Sequence, residues 1–155
     1  MKKAVNDIIQ RLENTVNGEP WFGRSALSLL KETNPEFVFM KTGNGGHSLA
    51  DLLWHMITWA QFTLNRLEKK EEDMEVFESL DWRSIDPAIH SWKNGIKEFT
   101  SVFGKIVALL KTKEDAYLEE KVDYRDYNVQ FLLNGLIEHT IYHLGQIAYA
   151  QKQLS

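Results

Sequence analysis

The chain has 155 residues, of which 43% are hydrophobic and 12% aromatic, so it can bury one substantial core and is not a disordered protein. Its formal net charge of −4 argues against nucleic-acid binding, which normally needs a basic face. The absence of cysteine excludes disulfides, thiolate metal sites and a cysteine nucleophile, and it fits a reducing compartment. Because neither a signal-peptide core nor 18 uninterrupted apolar residues can be found, we expect a cytoplasmic protein without a membrane span.

The first third of the chain predicts two helical segments and a connection. Apolar residues at helical spacing predict a first amphipathic helix over residues 2–16. A short helix, or a continuation of the first, is predicted in WFGRSALSLLKET, residues 21–33, before Asn34-Pro35 ends it. Ser48 and Asp51 resemble a capping box, so a second long helix should begin at about Ser48.

The middle of the chain alternates charged and apolar stretches. Residues 68–81 are acidic and predict a helix end followed by an exposed loop. Asp86 as the cap and Pro87 in the first turn predict the start of a third helix, whose apolar pattern covers residues 89–110. The charged connection that follows predicts a short extended piece at residues 118–122.

The fourth helical stretch, residues 128–151, is the most apolar of the chain. Its only formally charged side chain is Glu138, for which we favour a pairing or interface role, and a helix of this composition should be buried on most sides. His139 and His143 stand four positions apart, so they share one helix face. They could converge on one metal ion, or they could be two histidines hydrogen-bonded to their neighbours.

Four long amphipathic helices without a convincing strand predict an all-α protein, a four-helix bundle formed by a single domain over residues 1–155. The connections are each roughly a dozen residues or longer, so crossover topologies are allowed. Gly135 and Gly145 interrupt the fourth helix, and we interpret them as sites where another helix approaches closely.

His55 falls inside the second helix and adds a third imidazole. With His139 and His143 it offers three neutral nitrogen donors from two facing helices, a set that suits Zn, Ni, Co or Fe(II) better than Mg or Ca. Three histidines leave a coordination position open, which is typical of catalytic zinc sites. Asp51 precedes His55 by four residues and could orient a ligand or act as a fourth one, or it could only complement the helix dipole.

Other polar residues near this pattern are weaker candidates. Gln146 and Tyr142 flank His143 and could contact a ligand histidine or the substrate, although Gln146 could equally bond to a neighbouring helix. His47 and His90 are expected to be structural or exposed. No residue stands out as a catalytic nucleophile or base.

Three segments resemble the signature blocks of the DinB-like proteins, the superfamily that also contains the bacillithiol and mycothiol S-transferases. They are PWFGRSALSLL at 20–30, GGHSLADLLWHMITW at 45–59 and GLIEHTIYHLGQIAYAQK at 135–152. The resemblance spans nearly the whole chain, and the third block, with H-x-x-x-H followed by Gly-Gln-Ile, is the most specific. The chain departs from the family pattern at Thr140, where an aspartate is common, and at Phe22, where a histidine is common.

The resemblance implies an up-down-down-up four-helix bundle with long connections, often a homodimer, that holds a divalent metal on three histidines. At the matching positions these are His55, His139 and His143. Since one fold and metal site can serve unrelated activities, the reaction must be argued from the site.

Two classes of function remain open. One is a metal-dependent thiol S-transferase, or a related hydrolase, in which Zn or Ni binds a low-molecular-weight thiol as thiolate and makes it attack a small-molecule electrophile. The other is a noncatalytic metal-binding or stress-associated homodimer. Neither class involves nucleic acid or a membrane.

Overall fold

The computed structural model describes residues 1–71 and 73–154. Over these ranges the chain forms six α-helices and no β-strand, which confirms the all-α prediction. None of these helices is both long and apolar enough to cross a membrane. The helices are α1 (Lys3–Asn17), α2 (Ala26–Glu32), α3 (Leu49–Leu67), α4 (Met74–Asp81), α5 (Trp92–Leu110) and α6 (Val129–Leu154), with 3-10 turns at Pro35–Phe37 and Asp115–Glu119.

The four long helices, α1, α3, α5 and α6, enclose a shared hydrophobic core. Helix α3 packs against both α5 and α6, and α1 packs against the same two helices. Nearly every residue of α3 is buried, because α4 covers part of the surface that the long helices leave free. A polar side chain in the middle of α3, such as His55, therefore has to find its partners inside the protein.

The up-down-down-up order of the four long helices stays a prediction. It requires the start of α1, the ends of α3 and α5 and the start of α6 to lie at one end of the molecule. The contacts fit this requirement: the amino group of Met1 lies 2.6 Å from Glu114, just after α5, and the Tyr117 hydroxyl donates to the carbonyl of Leu67 at the end of α3. The 3-10 turn Asp115–Glu119 packs against both α1 and α6.

The predicted capping box at the start of α3 is present. The backbone N–H of Asp51 donates to Ser48 Oγ at 3.0 Å, and the N–H of Ser48 donates to Asp51 Oδ2 at 2.8 Å. These two bonds satisfy backbone donors that a helix N-terminus leaves unpaired. They also fix where α3 begins, and therefore where His55 lies along it.

The stretch predicted as an exposed acidic loop contains a helix, α4 (Met74–Asp81). The Asp73 carboxylate accepts the N–H of Glu75 and caps it, while Phe77 is buried edge-on against Phe62 of α3, with 5.4 Å between ring centroids. One cap and one buried aromatic side chain are enough to fix this short amphipathic helix against α3. The loop prediction for residues 68–81 was therefore wrong over its second half.

The third long helix begins later than predicted. Asp86 caps only a turn, in which its carboxylate accepts the N–H of Ala88. Helix α5 begins after Ser91, whose hydroxyl accepts the N–H of Asn94. Ile89 is 64% exposed and does not belong to the core. The error arises because Asp86 and Ser91 are both suitable capping residues, and the apolar pattern alone does not show which of them begins the helix.

Two smaller predictions also need correction. Of the extended piece expected at residues 118–122, Leu118 and Glu119 belong to the 3-10 turn Asp115–Glu119, and Lys121 forms an isolated bridge with Asn128. Gly135 and Gly145 lie on the exposed side of α6, where a methyl group added to either glycine would have no heavy atom of the described chain within 4 Å. The close approach between helices occurs at Gly95 of α5 instead.

The contact at Gly95 gives a stability prediction with a control on the same helix. A Cβ at Gly95 would lie 2.6 Å from Leu53 Cδ2, and Leu53 is completely buried, whereas a Cβ at Gly104 meets no atom within 4 Å. Overpacking costs about 1–3 kcal/mol, and replacing a helical glycine by alanine gains about 1 kcal/mol. We expect Gly95→Ala to lower the free energy of unfolding by about 1 kcal/mol and Gly104→Ala to raise it by up to about 1 kcal/mol in urea unfolding. Equal stabilisation by both substitutions would contradict tight packing between α3 and α5.

Candidate metal centre

Three histidines from two helices meet at one point in the core. His55 comes from α3, and His139 and His143 come from successive turns of α6. The Nε2 atom of His55 lies 3.0 Å from each of the other two Nε2 atoms, which are 3.1 Å from each other. Imidazole nitrogens bound to one ion at about 2.0–2.1 Å would be roughly 2.9–3.4 Å apart for bond angles of about 90–110°. The spacing fits a single metal ion.

Neighbouring side chains orient two of the three imidazoles. His143 Nδ1 lies 2.6 Å from the amide oxygen of Gln146, an acceptor, so this nitrogen carries the ring proton. His55 Nδ1 lies 2.5 Å from Asp81 Oδ1, off the line of an ideal hydrogen bond, and the carboxylate favours a proton there too. Each ring is then left with its Nε2 lone pair directed at the centre, as metal binding requires.

A purely hydrogen-bonded histidine cluster explains this arrangement less well. With His55 and His143 protonated on Nδ1, only His139 could donate from Nε2, and the lone pairs of the other two would still face each other at 3.0 Å. A cation between the three Nε2 atoms removes the repulsion. The donor set therefore fits a divalent transition metal.

Burial keeps all three imidazoles in the form that binds metal. It lowers the pKa of His139 to about 4, with further contributions from the charges that His143 and His55 would carry. Burial and, to a smaller extent, the charge of His143 lower the pKa of His55, although Asp81 acts in the opposite direction. Burial also lowers the pKa of His143, although the hydrogen bond to Gln146 acts to raise it. The cluster is therefore neutral near pH 7, and its lone pairs are available without loss of a proton.

Two residues of this site were missed from the sequence, Asp81 and Trp82. Asp81, the last residue of α4, accepts the indole N–H of Trp59 at 2.7 Å with the oxygen that also contacts His55. Trp82 stacks in parallel on His55, with 3.9 Å between ring centroids, and also on His47, at 3.8 Å. The signal that could have found them is Asp73 followed by apolar residues at helical spacing, which indicates a helix start in an otherwise acidic stretch.

Asp51 does not join the histidines. Its carboxylate caps α3 at Ser48 and forms an ion pair with Lys41. These contacts fit a structural role of Asp51 at the start of α3. They do not fit a role as a fourth metal ligand or as the residue that orients His55. The orienting carboxylate for His55 is Asp81, which lies 26 positions further along the chain.

The other residues considered from the sequence lie outside the group of three histidines. Gln146 contacts His143 as described, while Tyr142 is exposed and places its ring edge-on to His143, 5.0 Å between centroids. His90 accepts the backbone N–H of Asp86 and stays outside the cluster. Thr140 is buried and donates to the carbonyl of Leu136, so it is a structural residue here.

Fold and site together define an all-α protein with a buried three-histidine centre that could hold a divalent metal. The family model of the DinB superfamily matches residues 22–147, which include the whole centre. The chain therefore belongs to the DinB superfamily, as its sequence blocks indicate. No curated protein matches the chain.

The contact between Asp81 and His55 predicts an effect on metal affinity. If the three histidines hold a metal ion, Asp81→Asn should weaken Zn²⁺ binding by about 10–100-fold, the usual effect of removing a partner that orients a ligand. Asp126→Asn is the matched control, because Asp126 is fully exposed and its carboxylate lies 3.7 Å from the ammonium group of Lys121. Competition with a chromophoric chelator measures both affinities. An unchanged affinity in Asp81→Asn would show that this carboxylate does not orient His55.

Proposed function

We propose that the chain is a metal-dependent thiol S-transferase that joins a low-molecular-weight thiol to a small electrophile. The observation that carries the proposal is the convergence of three Nε2 lone pairs on one point. Zn or Ni held there by His55, His139 and His143 would leave a coordination position open and supply the positive charge that stabilises a thiolate near neutral pH. Low-molecular-weight thiols stay reduced in the cytoplasm, where we propose that the protein acts.

The residues around the centre would hold it in a fixed geometry. Asp81 and Gln146 each contact the Nδ1 side of a ligand imidazole, so the two rings cannot turn away from the centre without losing these contacts. Trp82 lies flat on the His55 ring and shields one face of it from water. Preorganised ligands and restricted water access favour a charged sulfur nucleophile.

The reaction itself needs few groups from the protein. The thiol loses its proton to solvent, its sulfur forms a bond to the electrophilic carbon, and the leaving group departs with the bonding electron pair. One observation supports a catalytic site, and a second supports attack by a thiol sulfur over attack by water. Only three residues of the described chain form the cluster, whereas a structural zinc site normally has four protein ligands. The carboxylate that contacts the cluster, Asp81, is engaged by His55 and Trp59, so it is poorly placed as the base of a hydrolase.

Metal content is the first test of this proposal. We expect about one equivalent of transition metal in the purified protein by elemental analysis, lost in His55→Ala and His143→Ala but kept in His90→Ala. His90 is the control because its ring bonds to Asp86 rather than to the cluster. Circular dichroism checks that all variants are folded. A wild-type protein that stays metal-free after incubation with Zn²⁺ or Ni²⁺ would refute a metal-dependent activity.

Turnover is the second part of the same experiment. Thiol-dependent conversion of a haloarene should occur with the wild type and with His90→Ala, and should be lost in His139→Ala. A panel of hydrolase substrates shows whether water, instead of a thiol, is the nucleophile. Metal binding without turnover on either panel would favour the noncatalytic alternative.

We also propose that the protein forms a homodimer through the exposed side of α6. Tyr142 and Tyr149 are 66% and 67% exposed and lie within about 20° of one line along the helix. Gly145 lies between them and leaves space for a partner's side chain. Exposed aromatic residues on either side of a glycine suit a two-fold contact in which each ring faces a gap.

Light scattering tests the dimer. The wild type should have twice the chain mass of 18.0 kDa. Tyr149→Glu places a charge in the proposed contact and should shift the protein towards monomer. Ile89→Glu, at a residue that is equally exposed but lies before α5, should not. A monomeric wild type at micromolar concentration would exclude this dimer.

A further inference from the structure

A groove beside the metal centre has no role in the proposal so far. It runs between α3 and α6, has a volume of about 260 Å³, and reaches His139. Trp59 and Phe62 of α3 line one wall, and Tyr127 and Phe131 line the other. None of the described residues that line it is an acid, a lysine or an arginine. Its lining therefore offers mainly apolar contact and aromatic faces, while the guanidinium groups of Arg66 and Arg125 lie 5.5 and 5.6 Å from the centroid of the Phe62 ring.

Aromatic contacts fix the walls of the groove. The Trp59 and Phe62 rings meet edge-to-face with 5.4 Å between centroids, and Tyr127 and Phe131 meet at 5.1 Å. Trp59 also donates its indole N–H to Asp81, the residue that contacts His55. The same carboxylate thus positions a wall of the groove and a candidate metal ligand. The groove therefore meets the centre at His139.

Gly135 keeps the groove open. It lines the groove, and a Cβ built on it would meet no heavy atom within 4 Å. Glycine in a helix interior costs about 1 kcal/mol relative to alanine. Among the described residues no packing contact explains this cost at Gly135, whereas the space it leaves lies in the groove.

We propose that this groove binds the planar, apolar part of a small-molecule substrate and presents it to the centre beside His139. The volume exceeds the roughly 150 Å³ cavity that accommodates benzene, so a single substituted aromatic ring fits. A polar thiol would lose hydration there, and only a few lining side chains, such as Thr63, Tyr127 and His139, could replace the lost hydrogen bonds. The groove is therefore assigned to the electrophile. This inference deepens the proposed function and rests on it for the reaction, but the binding step can be tested without turnover.

The test uses 4-fluorobenzyl alcohol, an uncharged and unreactive aromatic probe, with the ¹⁵N-labelled protein. The indole N–H signal of Trp59, assigned with Trp59→Phe, should shift saturably on titration. The signal of Trp92, whose indole N–H donates to Leu30 away from the groove, should not move. Gly135→Leu fills the groove and should weaken binding by about tenfold or more.

Gly145→Leu is the matched control. It makes the same substitution on the same exposed side of α6, at a glycine that also has nothing within 4 Å but does not line the groove. Its affinity for the probe should equal that of the wild type. Equal loss in both glycine variants, with a change in mass by light scattering, would show that the subunit contact controls binding and would overturn the assignment.

Other outcomes separate this inference from the proposed function. No saturable shift of Trp59, or unchanged affinity in Gly135→Leu, overturns the groove even if thiol transfer is observed. Saturable binding that Gly135→Leu removes, in a protein that shows no thiol-dependent turnover, upholds the groove and overturns the transferase. With an active protein, Gly135→Leu should raise the KM for a haloarene and leave the KM for the thiol unchanged.

Discussion

The packing of α3 against α6 is the contact on which the site depends, because it sets His55 opposite His139 and His143. The same packing buries the imidazoles and thereby lowers the pKa of each. Three neutral donors facing one another in a core are unfavourable without a cation. An ion that binds only the folded state stabilises that state in proportion to its affinity and concentration. Folding and metal binding should therefore be thermodynamically linked here.

Helix α4 lies outside the four long helices, yet it supplies much of what surrounds the centre. Phe77 anchors it on Phe62 of α3, and its last residue, Asp81, reaches both His55 and Trp59. Trp82 follows at once and stacks on His55. A short helix held by one buried side chain can thus orient a ligand, cover it and position a wall of the groove. Changes in α4 should alter the site while leaving the bundle intact.

The sequence predicted those parts of the structure that depend on local periodicity and capping. His139 and His143 were found because four-residue spacing places them on one helix face, and the start of α3 was found because Ser48 and Asp51 form a capping box. Asp81 was missed because its contact with His55 is tertiary, between residues 26 positions apart, and no periodic pattern connects them. The excess of acidic residues before it concealed α4, whose stability comes from packing.

The chemistry of the groove bears on the selectivity of the proposed enzyme. Apolar contact is non-directional, and one methylene more or less in such a pocket changes affinity by only about 1–3 kcal/mol. A groove without charged lining would therefore accept several small aromatic or alkyl groups and would discriminate mainly by size and against charge. The reactive carbon would be selected by its distance from the thiol sulfur rather than by hydrogen bonds to the substrate. A site of this kind suits an enzyme that acts on many electrophiles better than one that acts on a single metabolite.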